Sequence, residues 1–107
     1  MITFIAHFTV APENAAAFEE LLDHVATMSK TESGVVYYGL AQRVEDPTTY
    51  SVVEVYRDHE AVAAHGQTAW VAESVPQFLS LIEGLPDIRQ YVSPGTAPVA
   101  AQFDGLS

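Results

Sequence analysis

Strand-like and helix-like segments follow one another in this sequence in the order β-α-β-β-α-β. The strand-like segments are rich in β-branched and aromatic side chains and cover residues 2–10, 35–42, 50–57 and 87–93. This order is the split βαβ pattern of ferredoxin-like α+β domains. It predicts one four-stranded antiparallel sheet with its helices on a single face.

The first helix is predicted from Pro12 to about Ser33, with Gly34 as a left-handed stop. Its apolar residues recur at steps of three and four, which is typical of an amphipathic helix; they are Phe18, Leu21, Leu22, Val25 and Met28.

The second helical region is predicted to begin at Asp58, a good N-cap residue, and to close after His65 at Gly66. Thr68 can cap the next stretch. Pro76 interrupts that stretch, so we expect a kink or two short helices there.

The chain has 107 residues, which suits a single domain that we place at residues 1–92. The remainder, residues 93–107, mixes turn formers with a short apolar patch and is predicted to be a tail that contacts a partner subunit. The sequence holds no cysteine, which excludes disulfides, thiolate zinc sites and a cysteine nucleophile.

The net charge is −10, from 14 acidic residues against four basic ones, which are Lys30, Arg43, Arg57 and Arg89. Nucleic acids and anionic membranes bind through clustered Lys and Arg, so we expect neither as a partner. No apolar run approaches the length of a membrane span, and the first residues lack the basic region of a signal peptide. We therefore expect a cytoplasmic protein.

Both faces of the predicted sheet are apolar. Side chains on alternate positions of a strand point to opposite faces. On the first strand one face has Ile2, Phe4, Ala6 and Phe8, and the other has Ile5 and His7. On the second strand one face has Val35 and Tyr37, and the other has Val36, Tyr38 and Leu40; on the third, one face has Val52 and Tyr56, and the other has Val53 and Val55. The helices can cover only one face, so the sequence predicts a homodimer that pairs through the other. Alternatively, the tail folds back over part of that face.

Two residues near residue 60, Glu54 and His65, are candidates for a catalytic role. Glu54 lies within an apolar strand, where a buried charge needs a partner. It either pairs with one of the arginines, which are Arg43, Arg57 and Arg89, or lies in a pocket as an acid that orients the substrate or accepts its proton. His65 should lie at the end of its helix facing the sheet, as a base near pH 7 or as a packed core histidine.

Further candidates are His7, a polar residue in the middle of the first strand, and the aromatic side chains that could hold a planar ring. These are Tyr37, Tyr38, Tyr56, Trp70 and Phe78, each of which could equally be ordinary core. The sequence has no H-x-x-x-H pair, glycine-rich nucleotide motif or G-x-S-x-G motif, so we expect neither a metal nor a cofactor.

The run "EVYRDHEAVAAHGQTAWVAES" resembles the signature of the antibiotic biosynthesis monooxygenase family, small dimeric α/β-barrel proteins that include quinol monooxygenases. The matching positions are Glu54, Tyr56, Asp58, Glu60-Ala61 and Ala64-His65, and "ESGVVYYGL" and "VEDPTTYSVVEVY" are similar to the family's preceding segments. Trp70 and Val71 stand where many members have His and Phe.

The resemblance implies a cofactor-independent monooxygenase that oxidises a quinol or a polyketide-like phenol with dioxygen. It implies His65, and second His7, as the groups that take the substrate proton, with Trp70, Tyr37, Phe78, Tyr56 and Glu54 around the substrate. Two alternatives stay open, a non-catalytic small-ligand-binding or stress-associated barrel and an isomerase or decarboxylase of a related molecule, because one fold supports many functions.

Overall fold

The structure is a computed structural model that describes residues 1–100; residues 101–107, the end of the predicted tail, lie outside the described part. The predicted α+β fold with a four-stranded antiparallel sheet is confirmed. A 3-10 turn at Pro12–Asn14 precedes the first helix. The elements are β1 (Ile2–Val10), α1 (Ala15–Ser29), β2 (Val35–Gln42), β3 (Thr49–Tyr56), α2 (His59–Gly66), α3 (Ala69–Leu81) and β4 (Ile82–Val92).

The strands lie in the order β2-β3-β1-β4, so the two central strands are β1 and β3. Their antiparallel register pairs Phe4 with Glu54 and His7 with Ser51. Because side chains alternate along a strand, Phe4 and Glu54 lie on the helix-covered face, whereas His7 and Ser51 lie on the opposite face, called here the open face.

The main core lies between the sheet and helices α1 and α3. Its centre is an aromatic group in which Phe18 contacts Phe8, Tyr50 and Phe78 with ring centroids 5.1 to 6.0 Å apart. Full burial of one such side chain contributes about 1.5–3 kcal/mol. The short helix α2 covers a second, smaller cluster at the other end of the sheet, built on Ile2, Phe4, Tyr56, Ala61 and Val62.

Helix α1 ends at Ser29, four residues before the predicted end, and turns connect it to β2. The predicted left-handed stop at Gly34 is wrong, because among the described glycines only Gly84 and Gly95 have positive φ. Position 34 requires a glycine for a different reason, which is the space available there. A Cβ there would lie 2.3 Å from Cβ of Ala61, so only a bare Cα lets α2 approach this closely.

Helix α3 continues through Pro76 from residue 69 to residue 81, so the predicted alternative of two short helices is wrong. Proline removes one backbone donor, but its ring lies on the exposed side of this helix. Val71, Ser74 and Phe78 are buried on the inner side. Their packing holds the helix together across the missing hydrogen bond.

Strand β2 contains an irregularity between Val35 and Tyr37 that changes the predicted assignment of side chains to faces. An extra residue in a strand reverses the alternation beyond it. As a result Val35 and Tyr38 both face the helices, while Tyr37 lies on the open face and is 52% exposed. Simple alternation had placed Val35 with Tyr37.

Strand β4 begins at Ile82, five residues earlier than predicted, and contains Pro86. It is an edge strand, where a missing backbone donor is tolerated. Gly84, with φ 69°, lies near a shift in the pairing of β4 with β1.

The open face carries apolar side chains from all four strands, which are Tyr37, Val53, Val55, Ile5 and Tyr91. The described part of the tail does not cover it. Val99 exchanges two hydrogen bonds with the side chain of Gln90 and packs against the smaller core cluster, and the carbonyl of Ala97 meets His59 of α2. Residues 93–100 therefore return to the helix-covered side. Within residues 1–100 no helix is both long and apolar enough to cross a membrane.

Candidate functional site

His65 lies in the last turn of α2 and is buried, with 2% of its surface exposed. The helix begins where predicted, because the carboxylate of Asp58 accepts a hydrogen bond from the backbone N–H of Ala61 at 2.9 Å. Burial lowers the pKa of His65, and the hydrogen bond to Glu32 acts in the opposite direction. The imidazole is therefore neutral near pH 7.

Glu32, in the turn between α1 and β2, holds two other side chains through one oxygen. Its Oε2 lies 3.0 Å from Nδ1 of His65 and accepts a hydrogen bond from Nε1 of Trp70 at 3.2 Å. In a neutral imidazole Nδ1 then carries the proton, and Nε2 keeps its lone pair. Glu32 thus joins α2, α3 and the α1–β2 turn around His65.

Glu54 and Tyr56 form a second buried pair on β3. The hydroxyl of Tyr56 donates to Oε1 of Glu54 at 2.5 Å, as residues two apart on one strand face permit. The predicted arginine partner is wrong. Arg43, Arg57 and Arg89 are exposed and bind acids close by in sequence, which are Glu45, Asp58 and Asp87.

Burial raises the pKa of Glu54 to about 7, while the hydrogen bond from Tyr56 lowers it and nearby Glu32 raises it further. Burial, followed by the charge of Glu54, raises the pKa of Tyr56 well above its ordinary value. Glu54 can therefore gain or lose a proton near neutral pH, whereas Tyr56 stays protonated and acts as a donor.

The imidazole of His65 lies beside two phenol rings, with centroids 5.5 Å from Tyr38 and 5.3 Å from Tyr56. Tyr38 is also the cross-strand partner of Glu54, and burial raises its pKa. These contacts connect the two hydrogen-bonded pairs into one buried group, the His65 cluster, which consists of His65, Glu32, Trp70, Tyr38, Tyr56 and Glu54.

The structure brings five of the predicted candidate residues together in this cluster, which are His65, Trp70, Tyr38, Tyr56 and Glu54. Sequence reasoning missed Glu32. Glu32 is the acid that opens the quoted run "ESGVVYYGL". The prediction placed it in the last turn of the first helix, next to the stop at Gly34, where nothing indicated a buried carboxylate.

The other predicted residues lie elsewhere. His7 is exposed on the open face, where its Nδ1 lies 2.8 Å from Oγ of Ser51 beside a pocket of about 440 Å³. Tyr37 is on the same face, and Phe78 is stacked on Phe8 in the main core at 6.2 Å. His7 and His65 therefore cannot act on one group within a single subunit, because the sheet separates them.

Three or more His, Asp or Glu side chains do not converge as metal ligands anywhere in residues 1–100. A surface pocket of about 380 Å³ reaches the Glu32 side of the cluster and has an acidic lining that includes Glu32, Asp58 and Glu60.

This architecture and site define a class, a small ferredoxin-like α+β domain with a buried, hydrogen-bonded histidine between its sheet and a short helix. The family model described as antibiotic biosynthesis monooxygenase matches residues 1–80. The chain belongs to the antibiotic biosynthesis monooxygenase family.

Individual relatives are distant. The protein named "Putative monooxygenase YcnE" from Bacillus subtilis (strain 168) is 26% identical over 88 residues, which are 82% of this chain and 93% of that protein. The structure of PA3566 from Pseudomonas aeruginosa superimposes with a TM-score of 0.77 at 28% identity, covering 86% of this chain and 92% of that one.

A structure from Nitrosomonas europaea, titled a "putative antibiotic biosynthesis monooxygenase", gives a TM-score of 0.82 at 22% identity and covers 88% of this chain and 99% of that one. At this identity the likeness shows the fold alone.

Proposed function

We propose that this chain is a cofactor-independent monooxygenase that oxidises an electron-rich, hydroxylated aromatic with dioxygen. Family membership supports the class of reaction. The observation that carries the proposal for this chain is the neutral, buried imidazole of His65, whose Nδ1 is held by Glu32.

The imidazole supplies the base that this chemistry needs. With Nδ1 donating to Glu32, Nε2 takes the proton of the substrate hydroxyl, and the resulting anion passes an electron to dioxygen. The two radicals combine away from bulk water. For a hydroquinone, one oxygen atom enters the ring and the other leaves as water, while the substrate gives up four electrons and becomes a hydroxyquinone.

Glu54 provides a second place for a proton next to His65. Its pKa of about 7 lets it exchange a proton near neutral pH, and Tyr56 lies between it and the imidazole ring. The buried group therefore contains a second proton acceptor, which the Tyr56 side chain connects to the imidazole by ring contact.

The close packing of His65 favours a second candidate function. Tyr38 and Tyr56 contact its ring, and little of its surface is exposed. A non-catalytic ligand-binding protein would use His65 to hold its core together, and it would return its ligand unchanged in air.

Oxygen uptake with a panel of hydroquinones tests the proposal. His65→Asn keeps a donor toward Glu32 but removes the base, so uptake should fall by about 10²-fold or more. The matched control is His24→Asn, because His24 is exposed on α1, and its rate should equal that of wild type. Equal rates for both variants would remove His65 from the mechanism.

We also propose that the open face pairs with the open face of a second copy. Tyr37 and Tyr91 are 52% and 55% exposed there, and a monomer seldom leaves a contiguous patch of this kind uncovered. His7 and Ser51 would then lie at the interface.

Sedimentation velocity of two matched variants tests the pairing. Val55→Glu adds a charge to the open face and should give monomers, whereas Val44→Glu, at an exposed loop position, should leave dimers. A monomeric wild-type protein at micromolar concentration would contradict the pairing.

A further inference from the structure

A groove of about 480 Å³ runs between helix α1 and the edge strand β2. Its floor is apolar and consists of Leu22 and Ala26 from the helix and Tyr38 and Leu40 from the strand. The lining as a whole is mixed, because the charged and polar groups toward its ends contribute at least as much surface as the apolar floor. Small-molecule sites likewise combine apolar walls with a few placed polar groups.

The charges at the two ends of the groove differ. Lys30 lines one end, and Asp23 lies seven residues earlier on the same helix, about 10 Å away at the helical rise. Glu19 lies beyond Asp23 and is bound by the hydroxyl of Tyr50 at 2.5 Å. An anionic group is therefore attracted to the Lys30 end and repelled from the other.

Lys30 is also the basic residue that is free to pair with a bound anion, within residues 1–100. All three arginines form ion pairs with acids near them in sequence, whereas Lys30 forms no ion pair with any residue in 1–100. In a chain of net charge −10, an unpaired ammonium beside an apolar floor suits a ring with one negative substituent.

Tyr38 connects the groove to the His65 cluster. It lines the floor of the groove, it is 4% exposed, and its ring centroid lies 5.5 Å from that of His65. A ligand on this floor therefore touches a side chain that in turn contacts the proposed base. The pocket beside Glu32 offers an anionic ligand less attraction, because its one base, Arg57, is paired with Asp58 and stands against three acids in the lining.

We propose that the groove between α1 and β2 binds a flat aromatic ring that carries one carboxylate or ionised hydroxyl, with the negative group at Lys30 and the ring on Leu22, Ala26 and Leu40. The ring packs against Tyr38, which transmits its presence to His65. Because this ligand reaches His65 only through the Tyr38 ring, it is not the group whose proton Nε2 takes, and its binding does not depend on the proposed function.

Binding is measured without turnover, by NMR of the backbone amides and of the His65 imidazole. The probes are 4-hydroxybenzoate, 4-nitrophenolate and the neutral 4-hydroxybenzyl alcohol, and the first two separate a carboxylate from an ionised hydroxyl. Both anions should shift signals of α1, β2 and His65 and should bind about fivefold more tightly than the alcohol, as one partly exposed charge pair allows.

Three variants complete the test. Lys30→Gln should remove the preference for the anions, whereas the matched control Arg89→Gln on the open face should keep it. Asp23→Trp, at an exposed position on the groove wall, should block all three probes without disturbing the core.

Equal affinity for anions and alcohol, or equal effects of Lys30→Gln and Arg89→Gln, would overturn the proposal. Shifts in α1 and β2 that leave the His65 signals unchanged would overturn the link through Tyr38. Binding that follows the expected pattern, together with no oxygen uptake from the hydroquinone panel, would confirm the groove and contradict the monooxygenase proposal.

Discussion

The hydroxyl oxygen of Tyr56 lies 2.5 Å from a carboxylate oxygen of Glu54, and both side chains are buried. This pair explains an acid in the middle of an apolar strand. A buried carboxylate without a cation shifts its pKa upward, and a hydroxyl donor stabilises its charged form in part. The result is an acid whose pKa of about 7 lies near physiological pH, next to a neutral histidine.

The first prediction concerns the stability of the Glu54→Gln variant as a function of pH. The pKa of Glu54 is raised from 4.5 to about 7 in the folded state, so between these values the folded protein binds more protons than the unfolded one. Glu54 therefore costs stability progressively as pH rises through this window, on the order of 3 kcal/mol in total. Relative to wild type, Glu54→Gln should gain that amount between pH 4.5 and pH 7.

Urea denaturation at a series of pH values measures this difference. The lowered pKa of His65 changes the stability in the opposite direction, because stability is lost as pH falls below about 6.5. Since His65 is present in both proteins, its contribution cancels in the difference between the variant and wild type. The exposed Glu20→Gln is the control and should show no such change. A difference between Glu54→Gln and wild type that is flat with pH would show that Glu54 is ionised throughout.

The second prediction concerns the charge of Glu32. Its hydrogen bond and its charge both raise the pKa of His65 against the effect of burial. Glu32→Gln keeps an acceptor for Nδ1 but removes the charge, so His65 should titrate at lower pH than in wild type. NMR titration of the imidazole protons measures this, and Glu60→Gln, at an exposed position of α2, should leave it unchanged.

The third prediction concerns the close approach of Gly34 to α2. In Gly34→Ala the new methyl group would lie 2.3 Å from Cβ of Ala61, and the overpacking should cost about 1–3 kcal/mol. Ala61→Gly in the same chain should relieve the clash and recover part of that loss. Gly66→Ala, with no atom within 4 Å of the new methyl group, should instead be neutral or stabilising by up to about 1 kcal/mol. Thermal unfolding of the four proteins distinguishes these outcomes.

The fourth prediction concerns Pro76 in helix α3. Pro76→Ala restores a backbone donor in the helix interior without touching the core, so it should stabilise the protein by about 1–3 kcal/mol. Pro12→Ala, in the first turn before α1, should have little effect because that donor has no partner in the helix. Chemical denaturation measures both, and a loss of stability in Pro76→Ala would mean that the proline ring is part of the packing.

The features that sequence predicts well here are local ones. Asp58 and Thr68 were predicted as caps because each precedes a helical pattern, and both accept the expected backbone hydrogen bond, from Ala61 and Val71. The position of His65, facing the sheet from the end of α2, followed from the same pattern.

The features that sequence could not predict depend on contacts between distant segments. Glu32 and His65 are 33 residues apart, and nothing in the sequence near either residue indicates that their side chains meet. The irregularity after Val35 reverses the faces of β2, and an alternating apolar pattern has no signal for it when both faces are apolar. The sequence left Glu54 with either an arginine partner or a place in a pocket, and its actual partner, Tyr56, lies two residues away in the same strand.

Mass spectrometry of the product formed from a hydroquinone under isotopically labelled dioxygen shows whether the chain is a monooxygenase that uses His65. We expect one labelled oxygen atom in the product of the wild-type protein and in that of His24→Asn, and nearly none with His65→Asn. A product without label, or equal labelling by wild type and His65→Asn, would contradict this expectation.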